Sequence, residues 1–136
     1  MSNLETVKAI YEAFSKGNIP FILGCLDENV AWERWHSNHA QWSGVPYLKE
    51  RKDVAGVGEF FVEVGKLGVK TTRVVAILDG GDKLAVEFEI DTDRFGFEQE
   101  MHLWTFNADG KVVAFRHYLD TAKHIAANMQ VSAVSL

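Results

Sequence analysis

Leu4, Val7, Ile10, Tyr11 and Phe14 recur at the spacing that places them on one face of a helix. Ser2-Asn3-Leu4-Glu5 just ahead is a capping box: Ser2 accepts from the Glu5 amide and Glu5 reaches back. Gly17-Asn18 stops this helix. Asn18-Ile19-Pro20 starts a short second one, with Pro20 tolerated in the first turn, and that helix is expected to bury Phe21, Ile22, Cys25 and Leu26. Val30 to Trp35 reads as a strand, since tryptophan favours extended backbone. A long loop follows over residues 36–50, and a third helix over about Asp53 to Leu67, with Gly56 and Gly58 inside it.

The second half changes period. Alternating residues predict strands over about 69–78, 84–92, 97–106 and 111–119. Asp79-Gly80-Gly81-Asp82, Asp93 to Gly96 and Asn107-Ala108-Asp109-Gly110 separate them as hairpin turns. Asp120-Thr121 caps a last short helix that runs through Asn128. The pattern leaves the 131–136 tail unplaced. No linker or repeat interrupts the chain, so residues 1–136 are read as a single domain. Helices followed by a strand meander predict an α+β fold whose curved, mainly antiparallel sheet wraps three N-terminal helices.

Turn lengths set strand register, and register decides which side chains share a face. Closing Phe106 against Lys111 puts Trp104 opposite Val113, His102 opposite Phe115 and Glu100 opposite His117. Pairing His102 with Phe88 puts Trp104 opposite Val86 and Glu100 opposite Ile90. One face then collects Val86, Phe88, Ile90, Glu100, His102, Trp104, Val113, Phe115, His117 and Leu119. It is mostly apolar and should point at the helices, yet it carries a carboxylate and two imidazoles. Such groups are costly in a core unless each satisfies another. Two readings stand: a buried structural Glu100–His117 pair, or an acid/base pair beside a pocket. On the opposite face, Met101, Leu103, Val112 and Ala114 join Arg116 and Tyr118, which predicts a two-fold homodimer formed through the sheets.

Composition narrows the function classes. Of 136 residues, 14 are basic and 19 acidic, and the net charge of −5 argues against nucleic acid as a partner. No apolar run reaches the ~20 residues that cross a bilayer, so no membrane role is expected. A lone Cys25 makes no internal disulfide and fits a reducing cytoplasm. His36 and His39 are close in sequence but lack a neighbouring carboxylate or cysteine, so no metal is assigned. Gly56-Val57-Gly58 is no nucleotide fingerprint, and no cofactor is expected. Trp32, Trp104, Phe14, Phe60, Phe61 and Phe115 supply aromatic area, most of it expected in the core.

Several segments resemble SnoaL-like proteins of the NTF2-like superfamily, to which the ketosteroid isomerases belong. They are Tyr11-Glu12-Ala13-Phe14-Ser15-Lys16-Gly17-Asn18, Cys25-Leu26-Asp27-Glu28-Asn29-Val30-Ala31-Trp32, the run from His102 to Val113, and Arg116-His117-Tyr118-Leu119-Asp120. The resemblance implies a cone-shaped α+β domain, usually dimeric, in a family that includes isomerases, cyclases, dehydratases, epoxide hydrolases and proteins without chemistry. It further implies an apolar pocket of ~300–1,000 Å3 for a small hydrophobic molecule, with Tyr11, Phe14, Trp32, Phe60, Phe88, Trp104 and Phe115 as its walls. It sets Arg34 where ketosteroid isomerases carry their general base, His102 where they carry a neutral aspartic acid, and His117 where epoxide hydrolases carry an aspartate. The known residue types are thus replaced, while polar pocket positions are kept. One functional expectation is proton-transfer chemistry without a cofactor: His102 polarising or protonating a substrate oxygen, His117 acting as base oriented by Glu100, and Arg34 holding an anionic oxygen. The other is a non-catalytic ligand-binding or association domain with the same pocket.

Overall fold

The computed structural model describes residues 1–129; the tail over 131–136 lies outside them. Helix α1 (Asn3–Ser15) starts where the capping box predicts, with Ser2 Oγ accepting from the Glu5 amide at 3.1 Å. Glu5 reaches back to the Ser2 hydroxyl rather than to its amide. Helix α2 (Ile19–Gly24) is capped by Asn18 and buries Ile22, while Phe21 stays exposed. Strand β1 (Leu26–Trp32) begins and ends earlier than its aromatic content suggests.

The 36–50 loop is partly structured. It holds the short helix α3 (His39–Trp42) and a single 3-10 turn (Pro46–Leu48), and Ala40, Val45, Tyr47 and Leu48 join the core. Asp53 caps helix α4 (Val54–Gly65). A Cβ on Gly56 would come within 3.1 Å of the Arg51 Cβ, so that glycine lets the helix start against the preceding segment. Strands β2 (Val69–Asp79), β3 (Lys83–Thr92), β4 (Gly96–Phe106) and β5 (Val112–Tyr118) follow, then helix α5 (Thr121–Ala127), capped by Asp120.

The sheet is curved and unclosed, in the order β1-β5-β4-β3-β2. All neighbours are antiparallel except β1 and β5, which run parallel. The fold is α+β, as the change of hydrophobic period predicts.

Register differs from the expectation on both sides of β4. Thr92 pairs with Gly96, so the β3–β4 turn is tighter and Val86, rather than Phe88, sits opposite His102. Between β4 and β5, Phe106 pairs with Val112 but Thr105 with Ala114, leaving Val113 as an extra bulged residue. His102 therefore faces His117, and Trp104 faces Phe115. Each shift amounts to two residues along most of the ladder, so the inward face keeps its members. The exception is at the bulge: Val112 is buried in the core and does not belong to the outer face on which the dimer expectation placed it.

Candidate functional site

The concave face of the sheet and helices α1 and α4 border a partly open cavity of about 80 Å3. That is smaller than the sequence suggested. At ~10–15 Å3 for each water, it accommodates roughly five to eight waters. Tyr11, Phe14, Trp32, Phe60, Phe88, Trp104 and Phe115 line it, together with Phe61 and Phe95. Trp32 stacks on Phe115 at 4.1 Å between ring centroids and meets Trp104 edge-on, so the rings brace one another.

Glu100, His102 and His117 reach this cavity, but their partnerships differ from those the turn lengths implied. Glu100 Oε1 lies 2.8 Å from His102 Nε2, two residues along the same strand face. His117 Nδ1 instead lies 2.9 Å from Glu33 Oε1. The expected Glu100–His117 pair is absent because the β5 bulge carries His117 past Glu100 to a place opposite His102.

Arg34 is not part of the site. Its side chain is 63% exposed, and its nearest acidic partner is Glu50 at 3.7 Å. The residue that turns inward at the end of β1 is its neighbour Glu33, which is 0% exposed. Strand β1 stops at Trp32, and Glu33 takes a left-handed φ of +58°, the only non-glycine residue to do so among the described residues. That conformation costs on the order of 1–3 kcal/mol and persists only where its surroundings hold it. Here the Glu33 N–H donates to the Phe115 carbonyl and the Gln41 side chain donates to the Glu33 carbonyl. The carboxylate itself accepts from the His117 backbone N–H and from Trp35 Nε1 at 3.0 Å.

A second arm was not anticipated. His124 on α5 is fully buried, with Nε2 at 2.6 Å from Glu98 Oε2 and Nδ1 at 2.6 Å from the Tyr47 hydroxyl. Asn128 donates to Tyr47 at 2.9 Å. Glu98 had a legible signal, since it shares strand parity with Glu100 and His102. His124 had none, because so short a helix shows no period.

The two arms meet at Glu98 and Glu100, whose carboxyl oxygens lie within 4.8 Å of each other and of a His124 ring nitrogen. Burial, reinforced by the charge of Glu98 beside it, raises Glu100 well above the usual carboxylate range. Burial also pushes Glu98 up, but its hydrogen bond with His124 and the Glu100 carboxyl beside it outweigh this and leave it below its ordinary value. Glu100 is thus the protonated member. Burial, then the proximity of His117, lowers His102 well below the usual imidazole value, so its ring is neutral. Burial likewise raises Tyr11, which stays a phenol. Tyr11 bridges the network to the aromatic wall, 2.6 Å from His102 Nδ1 and accepting from Trp104 Nε1 at 2.9 Å.

Two sets of side chains are close enough to hold an ion, Glu100–His102–His117 and Glu98–Glu100–His124, each within 4.8 Å. In both, the nitrogens of His102 and His124 are already engaged in hydrogen bonds that an ion would have to break. His36 and His39 are exposed and belong to neither set.

Comparison with known proteins places this geometry. Residues 7–115 match the sequence profile of the SnoaL-like domain. The chain belongs to the SnoaL-like family. Among solved structures, the SnoaL-like chain resembles an NTF2-like protein of unknown function from Burkholderia pseudomallei K96243, at 24% identity and a TM-score of 0.72, covering 93% of this chain and 98% of that one. An NTF2-like protein from Burkholderia thailandensis E264 matches at 20% identity and a TM-score of 0.73, covering 96% and 99%. TerC co-crystallised with polyporic acid matches at 24% identity and a TM-score of 0.66, covering 88% and 92%. These likenesses establish the fold. No curated protein matches the chain in sequence. The fold is one that typically binds small molecules. No helix among the described residues is long and apolar enough to cross a membrane.

Proposed function

We propose that this SnoaL-like protein transfers a proton on a small, mainly apolar molecule, with His117 as general base. The observation that carries this reading is the Glu33–His117 dyad. A fully buried carboxylate in a strained backbone conformation is aimed at one nitrogen of an imidazole whose ring lines the cavity. Glu33 accepts the Nδ1 hydrogen, which fixes the tautomer and leaves the Nε2 lone pair for substrate. When Nε2 takes a proton, the carboxylate stabilises the imidazolium, and the same proton can return to another atom of the substrate. Isomerisation, cyclisation and dehydration all fit that cycle. His102 and Arg34 lose the roles the sequence suggested: both His102 nitrogens are bonded within the protein, and Arg34 is outside the cavity.

The test is protein-dependent proton exchange or product formation, followed by NMR in D2O across a panel of small hydroxy and enolisable compounds. Glu33→Gln should lower the rate by about 10²–10⁴-fold while binding persists. Binding with no turnover by the wild-type protein would support the ligand-binding reading instead, and an unchanged rate in Glu33→Gln would overturn the role given to the Glu33–His117 dyad.

We also propose a homodimer through the outer sheet face, where Met101, Leu103, Ala114 and Arg116 are only partly covered and Tyr118 and Phe97 are exposed. Light scattering should give twice the protomer mass, and Leu103→Asp should halve it. A wild-type monomer at micromolar concentration contradicts the dimer.

A further inference from the structure

An indole N–H can only donate, and leaving a buried one without an acceptor is costly. The chain has four tryptophans. Trp104 Nε1 donates to the Tyr11 hydroxyl, Trp35 Nε1 donates to Glu33, and Trp42 is exposed. Trp32 differs from all three. It is 1% exposed, and its Nε1 is buried with no hydrogen-bond partner among the described residues. Arg51 Nε and Glu98 Oε1 share that condition, but of the three residues only Trp32 lines the cavity.

Local packing holds the indole where it is. The Trp32 backbone exchanges two hydrogen bonds with Arg51, at 2.9 and 2.8 Å, which pin the end of the strand. The ring stacks on Phe115, and Phe60, Phe61 and Trp104 pack around it. Three of these rings have no polar atom and the fourth only donates, so none can accept from Nε1 in its plane. Phe60 and Phe115 also pack against His117, whose Nε2 has no protein partner among the described residues. The wall around those two phenylalanines therefore offers a ligand one fixed donor and one imidazole nitrogen. No lysine or arginine lines the cavity, while Glu100 does, so a carboxylate would enter without a counter-ion.

We propose that Trp32 Nε1 is the hydrogen-bond donor that the cavity presents to ligand oxygen, and that it selects small uncharged carbonyl compounds over hydrocarbons of the same shape. A carbonyl oxygen suits the position for two reasons. It accepts through in-plane lone pairs, and it brings no hydrogen that would need an acceptor of its own among the phenyl rings. The rest of such a molecule packs on Phe60 and Phe115. The inference rests on the proposed function only in taking this cavity as the ligand site; it holds whether or not His117 then moves a proton.

Titrating the wild-type protein with cyclohexanone and with methylenecyclohexane, its hydrocarbon analogue, tests this by ¹H–¹⁵N NMR of the indole groups and by calorimetry. Cyclohexanone should move the Trp32 indole proton downfield, and methylenecyclohexane should not. The affinity ratio of ketone to hydrocarbon should fall roughly tenfold in Trp32→Phe, which keeps an aromatic ring and removes the N–H. Comparing ratios cancels the hydration that the carbonyl itself loses on binding. A Trp32 signal unmoved at high ketone concentration overturns the proposal. So does an unchanged ratio in Trp32→Phe, tighter binding of benzoate than of cyclohexanone, or binding of neither ring compound at millimolar concentration. If Trp32→Phe does not fold, the wild-type indole signal decides alone. A ketone-dependent Trp32 shift without turnover of any compound leaves this inference standing while the proton-transfer reading fails; turnover with no such shift does the reverse.

Discussion

Glu100 and His102 divide one proton in a way that water would not. Folded, the carboxyl keeps it and the ring stays neutral; unfolded near neutral pH, the carboxyl is ionised and the ring is partly charged. The signs follow by linkage. The raised Glu100 contributes stability that is complete below its unfolded value near 4.5 and is lost as pH climbs toward its folded one. The depressed His102 contributes stability that is present above 6.5 and is lost as pH falls below it. Glu98, Glu33 and Lys123 surround Glu100, the first two raising it and the lysine opposing them. Subtracting Glu100→Gln, which keeps the shape and cannot ionise, isolates the carboxyl. In urea titrations from about pH 5 to about pH 8, the advantage of the wild-type protein over Glu100→Gln should shrink, by at most ~1.4 kcal/mol per pH unit. A constant difference across that range would mean that Glu100 ionises as an ordinary carboxyl does.

At the scale of elements, the helices and strands were legible because period and punctuation agree. The capping box, Asn18, Asp53 and Asp120 each accept from the amide that the sequence assigns them or open the helix that they should. Strand parity was legible too, and it carried Glu100, His102 and His117 to the cavity side. Pairing was not, because a bulge at Val113 and a three-residue β3–β4 turn have no local signature strong enough to set register. That is why the histidine's true partner, Glu33, was missed. Alternation through Trp32 and Trp35 continues β1 past its real end and sends Glu33 to solvent. The left-handed turn that reverses it is held by Phe115, far along the chain, and by Gln41 in the loop that follows. Arg34 failed for the complementary reason: a family position was carried over without the turn that changes which neighbour faces inward.

For the whole molecule, the curved sheet does two things at once. Its concave side gathers buried carboxyls and imidazoles from β1, β4, β5 and α5 around one small aromatic cavity. Most of those groups hydrogen-bond to one another, and His117 Nε2 faces the cavity without a protein partner among the described residues. The account therefore depends on where the ring hydrogen of His117 sits. Long-range ¹H–¹⁵N NMR of the imidazoles in the ligand-free protein at neutral pH reads this directly. It should report His117 with its hydrogen on Nδ1, facing Glu33. His117 protonated on Nε2 instead would contradict the account.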